Sequence, residues 1–190
     1  MTLGENKKIM LGLIEEYSPN NQLLTEDEDI RNRINLVYAT NYQYLSQKKK
    51  ILKTKTINID TDTDNTMIEY SLPMDLYQFK RIVRLDENNN KANTNYYIVG
   101  KKIYVEARKG RYIIEYYAYP TEINIETKDN FTLEIDQDVQ AILPYLVAND
   151  ILKVDPSADY SAFYKEYQIR MQNLDTRREL PSIVIEEGII

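Results

Sequence analysis

This chain contains no cysteine and no histidine. The first absence excludes disulfides, thiolate metal sites and cysteine nucleophiles. The second removes the commonest general base and the commonest transition-metal ligand. An enzyme made from this sequence would have to work with carboxylates, lysine, tyrosine or serine alone. The expectation is therefore a protein that is not an enzyme and uses no cofactor. Long apolar runs are also missing: none approaches the ~18 residues that span a bilayer, so no membrane partner is expected. The apolar part of 9–14 is short and is followed by Glu15 and Glu16, which does not fit a signal peptide. The protein is expected to stay in the compartment where it is made. Glycine is scarce, and Gly100 and Gly110 stand alone as turn residues, so no phosphate loop or dinucleotide fingerprint is present.

What is present fits a folded domain. A chain of 190 residues, 43% hydrophobic and 28% charged, can bury roughly 70% of its unfolded surface in one core. The net charge of −6 is unevenly spread: −3 over 1–46, +6 over 47–111 and −8 over 121–190. A mixed-charge solvated surface is the plain reading. A sharper one is that the basic middle of one copy meets the acidic ends of another.

The clearest periodicity lies in 136–178. Tyr160, Phe163, Tyr164, Tyr167, Met171 and Leu174 form one helical stripe, with Asp155 and Pro156 suited to its first turn. Before it, Val139, Ile142, Leu143, Leu146, Val147 and Ile151 mark another helix, which Pro144 should bend. The short link between the two predicts antiparallel packing. At the other end, Thr2 and Glu5 have the form of a capping box, followed by the stripe Ile9, Met10, Leu13, Ile14, Tyr17. A second box, Thr25 to Glu28, opens a helix carrying Ile30, Ile34, Val37, Tyr38 and Leu45. Its Tyr38, Tyr42 and Tyr44 follow the apolar spacing, which favours packing over an aromatic binding face.

Between these helical pairs the period changes to two. Strands are expected at 51–60, 67–72, 79–85, 96–99, 103–105 and 111–119, with an Asn-rich hairpin tip at 86–95. The fold class is thus α+β: two N-terminal helices, a central antiparallel β-meander of about six strands, two C-terminal antiparallel helices and an extended C-terminal tail. We expect one domain over 1–180, with helices at about 3–17, 26–47, 137–153 and 156–178 and strands within 51–120. Residues 181–190 then form a partner-binding tail. Ile183, Val184, Ile185, Ile189 and Ile190 make that tail a poor composition for a free solvated end. It should find a groove or sheet edge, most simply on another subunit, with folding back on its own domain as the alternative.

Candidate chemistry is thin. Asp60, Asp62 and Asp64 resemble the start of a calcium loop, but Asn65 and Ser71 stand where glycine and a bidentate glutamate are needed, so an acidic turn is the better reading. Glu15-Glu16 and Glu186-Glu187 are adjacent pairs that point different ways and make no glycosidase dyad. Lys48, Lys49, Lys50 and Lys53 are candidates for DNA or subunit contact, backed by Lys101, Lys102, Arg108, Lys109 and Arg111. A sequence pI of about 4.9 argues against a dedicated nucleic-acid binder and leaves non-specific contact with passing DNA.

In order and pattern the chain resembles the head-to-tail connector, or neck adaptor, proteins of tailed bacteriophages, which form rings beneath the portal. The likeness is carried by the tyrosine-rich helix at 30–47, Tyr70-Ser71-Leu72-Pro73-Met74-Asp75 running into 79–85, and 97–104. Ile114-Glu115-Tyr116-Tyr117-Ala118-Tyr119-Pro120 and the terminal helical pair complete it. The Asn-rich tip and the Ile-rich tail depart from the pattern. The resemblance implies a structural virion protein: a homo-oligomeric, dodecameric ring that docks on the portal, extends the DNA channel and offers a platform to a tail or stopper protein. It places the protein in the virion neck, and in host cytoplasm during assembly. It also implies that terminal extensions contact the portal or a neighbouring subunit. An acidic lumen suits the family, and the net −8 of 121–190 makes those helices candidates to face the channel. The competing reading is a small soluble nucleic-acid-associated protein using the basic 47–111 region; a carboxylate-based hydrolase is a third.

Overall fold

The computed structural model describes residues 1–15, 28–63, 66–155 and 158–175. The first helix, α1 (Leu3–Leu13), begins on the expected capping box: Glu5 N–H donates to Thr2 Oγ1 at 3.2 Å and Thr2 N–H donates to Glu5 Oε2 at 2.7 Å. The other two first-turn donors reach a distant loop, Leu3 N–H to the Phe131 carbonyl and Gly4 N–H to the Asp129 carbonyl, both at 2.8 Å. The first-turn amides that a helix normally leaves open are thus all used. That loop comes so close that a Cβ on Gly4 would stand 2.7 Å from the Asp129 Cβ. The N-terminal helix is fastened along its first turn to a segment more than 120 residues away.

The second helix, α2 (Glu28–Lys48), buries Ile34, Tyr38, Tyr42 and Leu45 along one face. Tyr44 does not join them; it is 41% exposed. Tyr17 and the Thr25 end of the second capping box lie outside the described residues. The expected single helix at 137–153 is in fact divided into a one-turn α3 (Gln137–Gln140) and α4 (Leu143–Leu152), with Pro144 in the first turn of α4. Proline does more than bend the helix here, because its missing N–H and its ring break the ladder back to residue 140.

The last helix, α5 (Ser161–Asp175), starts later than 156. Its entry is marked by Asp159, whose Oδ1 accepts from Ser161 N–H at 3.2 Å and from Ser161 Oγ at 2.7 Å. Asp159 takes the place expected of Asp155; Pro156 lies outside the described residues. Tyr167 is buried, Phe163, Met171 and Leu174 pack partly against the helical core, and Tyr160 and Tyr164 stay exposed. Arg170 sits over the Tyr145 ring at 4.3 Å, and 170–174 share a depression with 138–142, so α5 runs antiparallel to α4. Its stripe therefore packs on the other helices, and the antiparallel packing expected from the short link is observed.

The strands are β1 (Ile51–Ile59), β2 (Met67–Ser71), β3 (Leu76–Leu85), β4 (Lys91–Ala92), β5 (Tyr96–Val99), β6 (Lys102–Glu106) and β7 (Gly110–Ala118). They are antiparallel, as expected, but the meander is corrected: they form two sheets, ordered β1-β7-β3-β4 and β2-β6-β5. The extra strand, β4, falls in the Asn-rich stretch. Only β3–β4 and β5–β6 pair as sequence neighbours. The remaining strands pair at a distance because each sheet has one apolar face that must be covered. Ile57, Ile59, Tyr112, Ile114 and Tyr116 of one meet Ile103 and Val105 of the other in a shared core. Gly110 opens β7 at φ +147°, and a Cβ there would fall 2.5 Å from the Leu85 carbonyl oxygen.

Helices from both chain ends share a second core that includes Leu3, Met10, Tyr38, Leu45, Leu143 and Val147. Tyr42 ties this core to the strand-side loop by accepting the Glu134 N–H at 2.8 Å. Asn35 Nδ2 does the same further along α2, donating to the Asn124 and Ile125 carbonyls at 3.0 Å.

Candidate interaction surfaces

The four lysines singled out in the sequence lie around the junction of α2 and β1 but do not act as one patch. Lys49 Nζ pairs with Asp136 at 2.7 Å. Lys53 Nζ lies 3.1 Å from both Asp75 and Glu134. Burial works against the Lys53 charge, but its bonds to these two carboxylates outweigh that and raise its pKa above the usual lysine value. Both ammonium groups are occupied within the chain. Part of the charge complement between the basic middle and the acidic 121–190 region is thus satisfied intramolecularly.

Lys48 and Lys50 differ in having aromatic rings beside them, although Lys50 Nζ also donates to Gln78 Oε1 at 2.6 Å. Lys48 lies over the Tyr44 ring at 5.2 Å, while Lys50 lies 5.0 Å from the Tyr117 centroid and 5.7 Å from that of Tyr77. Lys80 joins from β3, 5.6 Å from the same Tyr117 ring. Among the described residues no carboxylate within 4.0 Å pairs with these three lysines. Lys48, Lys49, Lys50, Lys80 and Tyr117 line a cleft of about 490 Å³ together with Glu134 and Asp136. Lys80 was not among the sequence candidates. It reaches the cleft only because β3 and β1 flank β7, which no local pattern shows.

Most other basic side chains of 47–111 are also engaged. Arg81 holds Glu115 with two bonds of 2.8 Å, from Nε and Nη2, and keeps that carboxyl below its usual pKa. Lys102 and Tyr104 hold Glu69 in the same sense. Lys109 pairs with Glu87, and its backbone N–H donates to Asp62 Oδ1 at 2.7 Å. The acidic turn thus receives a backbone donor from the opposite strand connection. No group of three or more Asp, Glu, His or Cys side chains suited to a metal ion occurs among the described residues, and no helix there is long and apolar enough to cross a membrane.

The second surface is β5. All four of its residues are exposed: Tyr96 by 43%, Tyr97 by 48%, Ile98 by 38% and Val99 by 60%. It is the edge strand of the three-stranded sheet, bonded on one side to β6. Tyr97 stacks on Tyr104 with centroids 4.7 Å apart, and Tyr96 leans on Phe79 at 5.6 Å. Sequence reading placed this strand correctly in a hairpin but gave no reason to find it uncovered. The one signal was an unbroken apolar run between Asn95 and Gly100, with no polar alternation. The tail candidates Ile183, Val184, Ile185, Ile189 and Ile190 lie outside the described residues.

No protein-family model matches the chain, and a search of the curated proteins finds no match.

Proposed function

We propose that this chain is a structural virion protein, a ring-forming adaptor between the portal and tail of a tailed bacteriophage. The observation that supports the reading is β5, four consecutive large side chains all exposed on a sheet edge that no other described strand covers. An edge of that kind is a liability for a solitary soluble protein and an asset for one that assembles. The buried amides of Asn6, Asn35, Asn41 and Gln140 all donate to carbonyls of the chain itself. They serve to fix the scaffold. In this reading copies assemble into a dodecameric ring, the tail with Ile183, Val184, Ile185, Ile189 and Ile190 engages the portal or a neighbouring subunit, and the channel passes DNA without binding it tightly.

The cleft of Lys48, Lys50, Lys80 and Tyr117 gives the second reading its support, because ammonium groups over an aromatic ring suit a phosphodiester strand. Native mass and negative-stain images of the purified protein, alone and with a portal ring, separate the two. Rings of the adaptor, alone or on the portal, support the first. A monomer that binds DNA tightly and loses it with added salt overturns it.

A further inference from the structure

The hydrogen-bonding side of β5 follows from its register. Val99 and Lys102 flank the two-residue loop Gly100-Lys101, and Gly100 has φ +58°. The flanking pair of such a hairpin exchanges both backbone bonds, and the pattern then alternates. Tyr97 and Tyr104 are therefore bonded to each other, and two residues further on Glu106 N–H donates to the Asn95 carbonyl at 3.0 Å. The amides and carbonyls of Tyr96 and Ile98 consequently face away from β6, along the open edge.

The side chains are equally unfinished. Tyr96 and Ile98 lie opposite Val105 and Ile103, both fully buried, yet are themselves 43% and 38% exposed. The sandwich core ends under β6, and β5 overhangs it. Charge, proline or a bulge usually guards such an edge, and β5 has none of them.

We propose that this edge takes residues 183–185 of a second copy of the chain as an added parallel strand; the proposal rests on the adaptor reading and names the acceptor of its tail. Along an extended segment Ile183 and Ile185 share one face and Val184 the other. The two isoleucines would continue the apolar face begun by Tyr96 and Ile98, and Val184 would lie beside Tyr97. Charge sets the direction. Glu186 and Glu187 follow the apolar run, and Gly100 and Lys101 follow β5. Parallel pairing brings these acids to Lys101, which makes no ion pair among the described residues. The opposite direction brings them to Asn95 and Glu106, where Arg108 Nε already pairs with Glu106 Oε1 at 3.1 Å and Asn95 Nδ2 donates to Glu106 Oε2 at 3.1 Å, so the cation at that end is already engaged by a carboxylate. The donor is a second copy in keeping with the adaptor reading, in which copies lie side by side in a ring; a tail that returns to its own β5 is the outcome the concentration series separates.

Amide hydrogen exchange on the full-length chain, with native mass recorded over a concentration series, tests this. Exchange at Tyr96 and Ile98 is expected to slow at least tenfold as copies associate. In the full-length chain carrying Ile183→Lys and Ile185→Lys it should stay fast at every concentration, with α4 amides unchanged as the control for folding. A synthetic peptide of residues 180–190 should restore the slowing in that variant. Lys101→Glu should weaken association, and adding Glu187→Lys should recover it. Equal slowing in the wild type and the double-lysine chain overturns the proposal, as does slowing independent of concentration, which would place the segment on its own domain. A ring unaffected by the tail substitutions removes this pairing and keeps the adaptor reading. Tail-dependent protection in a protein that never forms a ring, alone or on a portal, does the reverse.

Discussion

The side-chain amide of Asn6 donates to the Gln140 carbonyl at 2.7 Å, filling the place of a donor that Pro144, four residues further on, lacks. Both residues are buried, and Gln140 Nε2 in turn donates to the carbonyls of Leu133 and Ile135 at 3.1 and 2.6 Å. The first helix and the α3–α4 break are therefore one polar joint inside an apolar core. Asn6→Ala leaves a buried carbonyl without a donor and should cost about 1–3 kcal/mol, seen as a lower urea midpoint at unchanged slope. Pro144→Ala returns a backbone N–H near that carbonyl, so Asn6→Ala should cost less in its presence. Strict additivity in the double-mutant cycle would refute this link.

Alkaline stability should depend on buried tyrosines. Burial pushes the Tyr42 phenol up to about 12, and burial also raises Tyr38 and Tyr167 above the ordinary tyrosine value. A raised folded-state pKa means that the folded protein holds protons the unfolded chain gives up. Its stabilising effect is complete below pH ~10 and is lost as pH rises from there towards 12. Chemical denaturation should show falling stability over that window. Tyr42→Phe should flatten part of the fall while lowering stability at neutral pH, because the Glu134 N–H loses its acceptor. A pH profile identical to that of the wild type would contradict this assignment.

At the acid end, Arg81 holds Glu115 below its usual pKa. A depressed carboxyl stabilises the fold above its unfolded value and loses that effect as pH falls through the folded one. Stability should therefore drop below pH ~4.3, and Glu115→Gln should reduce the drop. The neutral-pH cost should be modest, on the order of 1 kcal/mol, because Arg81 is largely solvent-facing. Denaturant titrations at pH 3 and pH 7 give both numbers.

Two glycines should respond differently to alanine. Gly110 combines φ +147° with a Cβ position 2.5 Å from the Leu85 oxygen, so Gly110→Ala must displace backbone and should cost about 2 kcal/mol or more. Gly100 has φ +58° but open space around it, so Gly100→Ala should cost only the left-handed penalty of about 1–2 kcal/mol. Thermal unfolding of the two variants should rank them in that order.

Lys50 and Lys80 flank Tyr117 and have no carboxylate partner within 4.0 Å among the described residues. Any low-salt retention on DNA should fall when both are changed to glutamate, while far-UV circular dichroism stays the same. Changing Lys53, already held by Asp75 and Glu134, should instead lower stability more than DNA retention.

By itself the sequence determined the periodic elements and their caps: the Thr2–Glu5 box, the α2 stripe through Tyr38 and Leu45, the Gly100 hairpin and the α+β class. These depend on residues within one or two turns of each other, where spacing is informative. Tertiary structure decided the rest. That β1 pairs with β7 and not β2 follows from covering two apolar faces at once, a constraint that no single strand carries. That Lys49 and Lys53 are occupied while Lys50 and Lys80 share a tyrosine depends on carboxylates and strands brought in from distant positions. The open edge of β5 left only an unbroken apolar run in the sequence, for the same reason. An edge is defined by the strand that is not beside it, and only the folded chain shows which neighbour is missing.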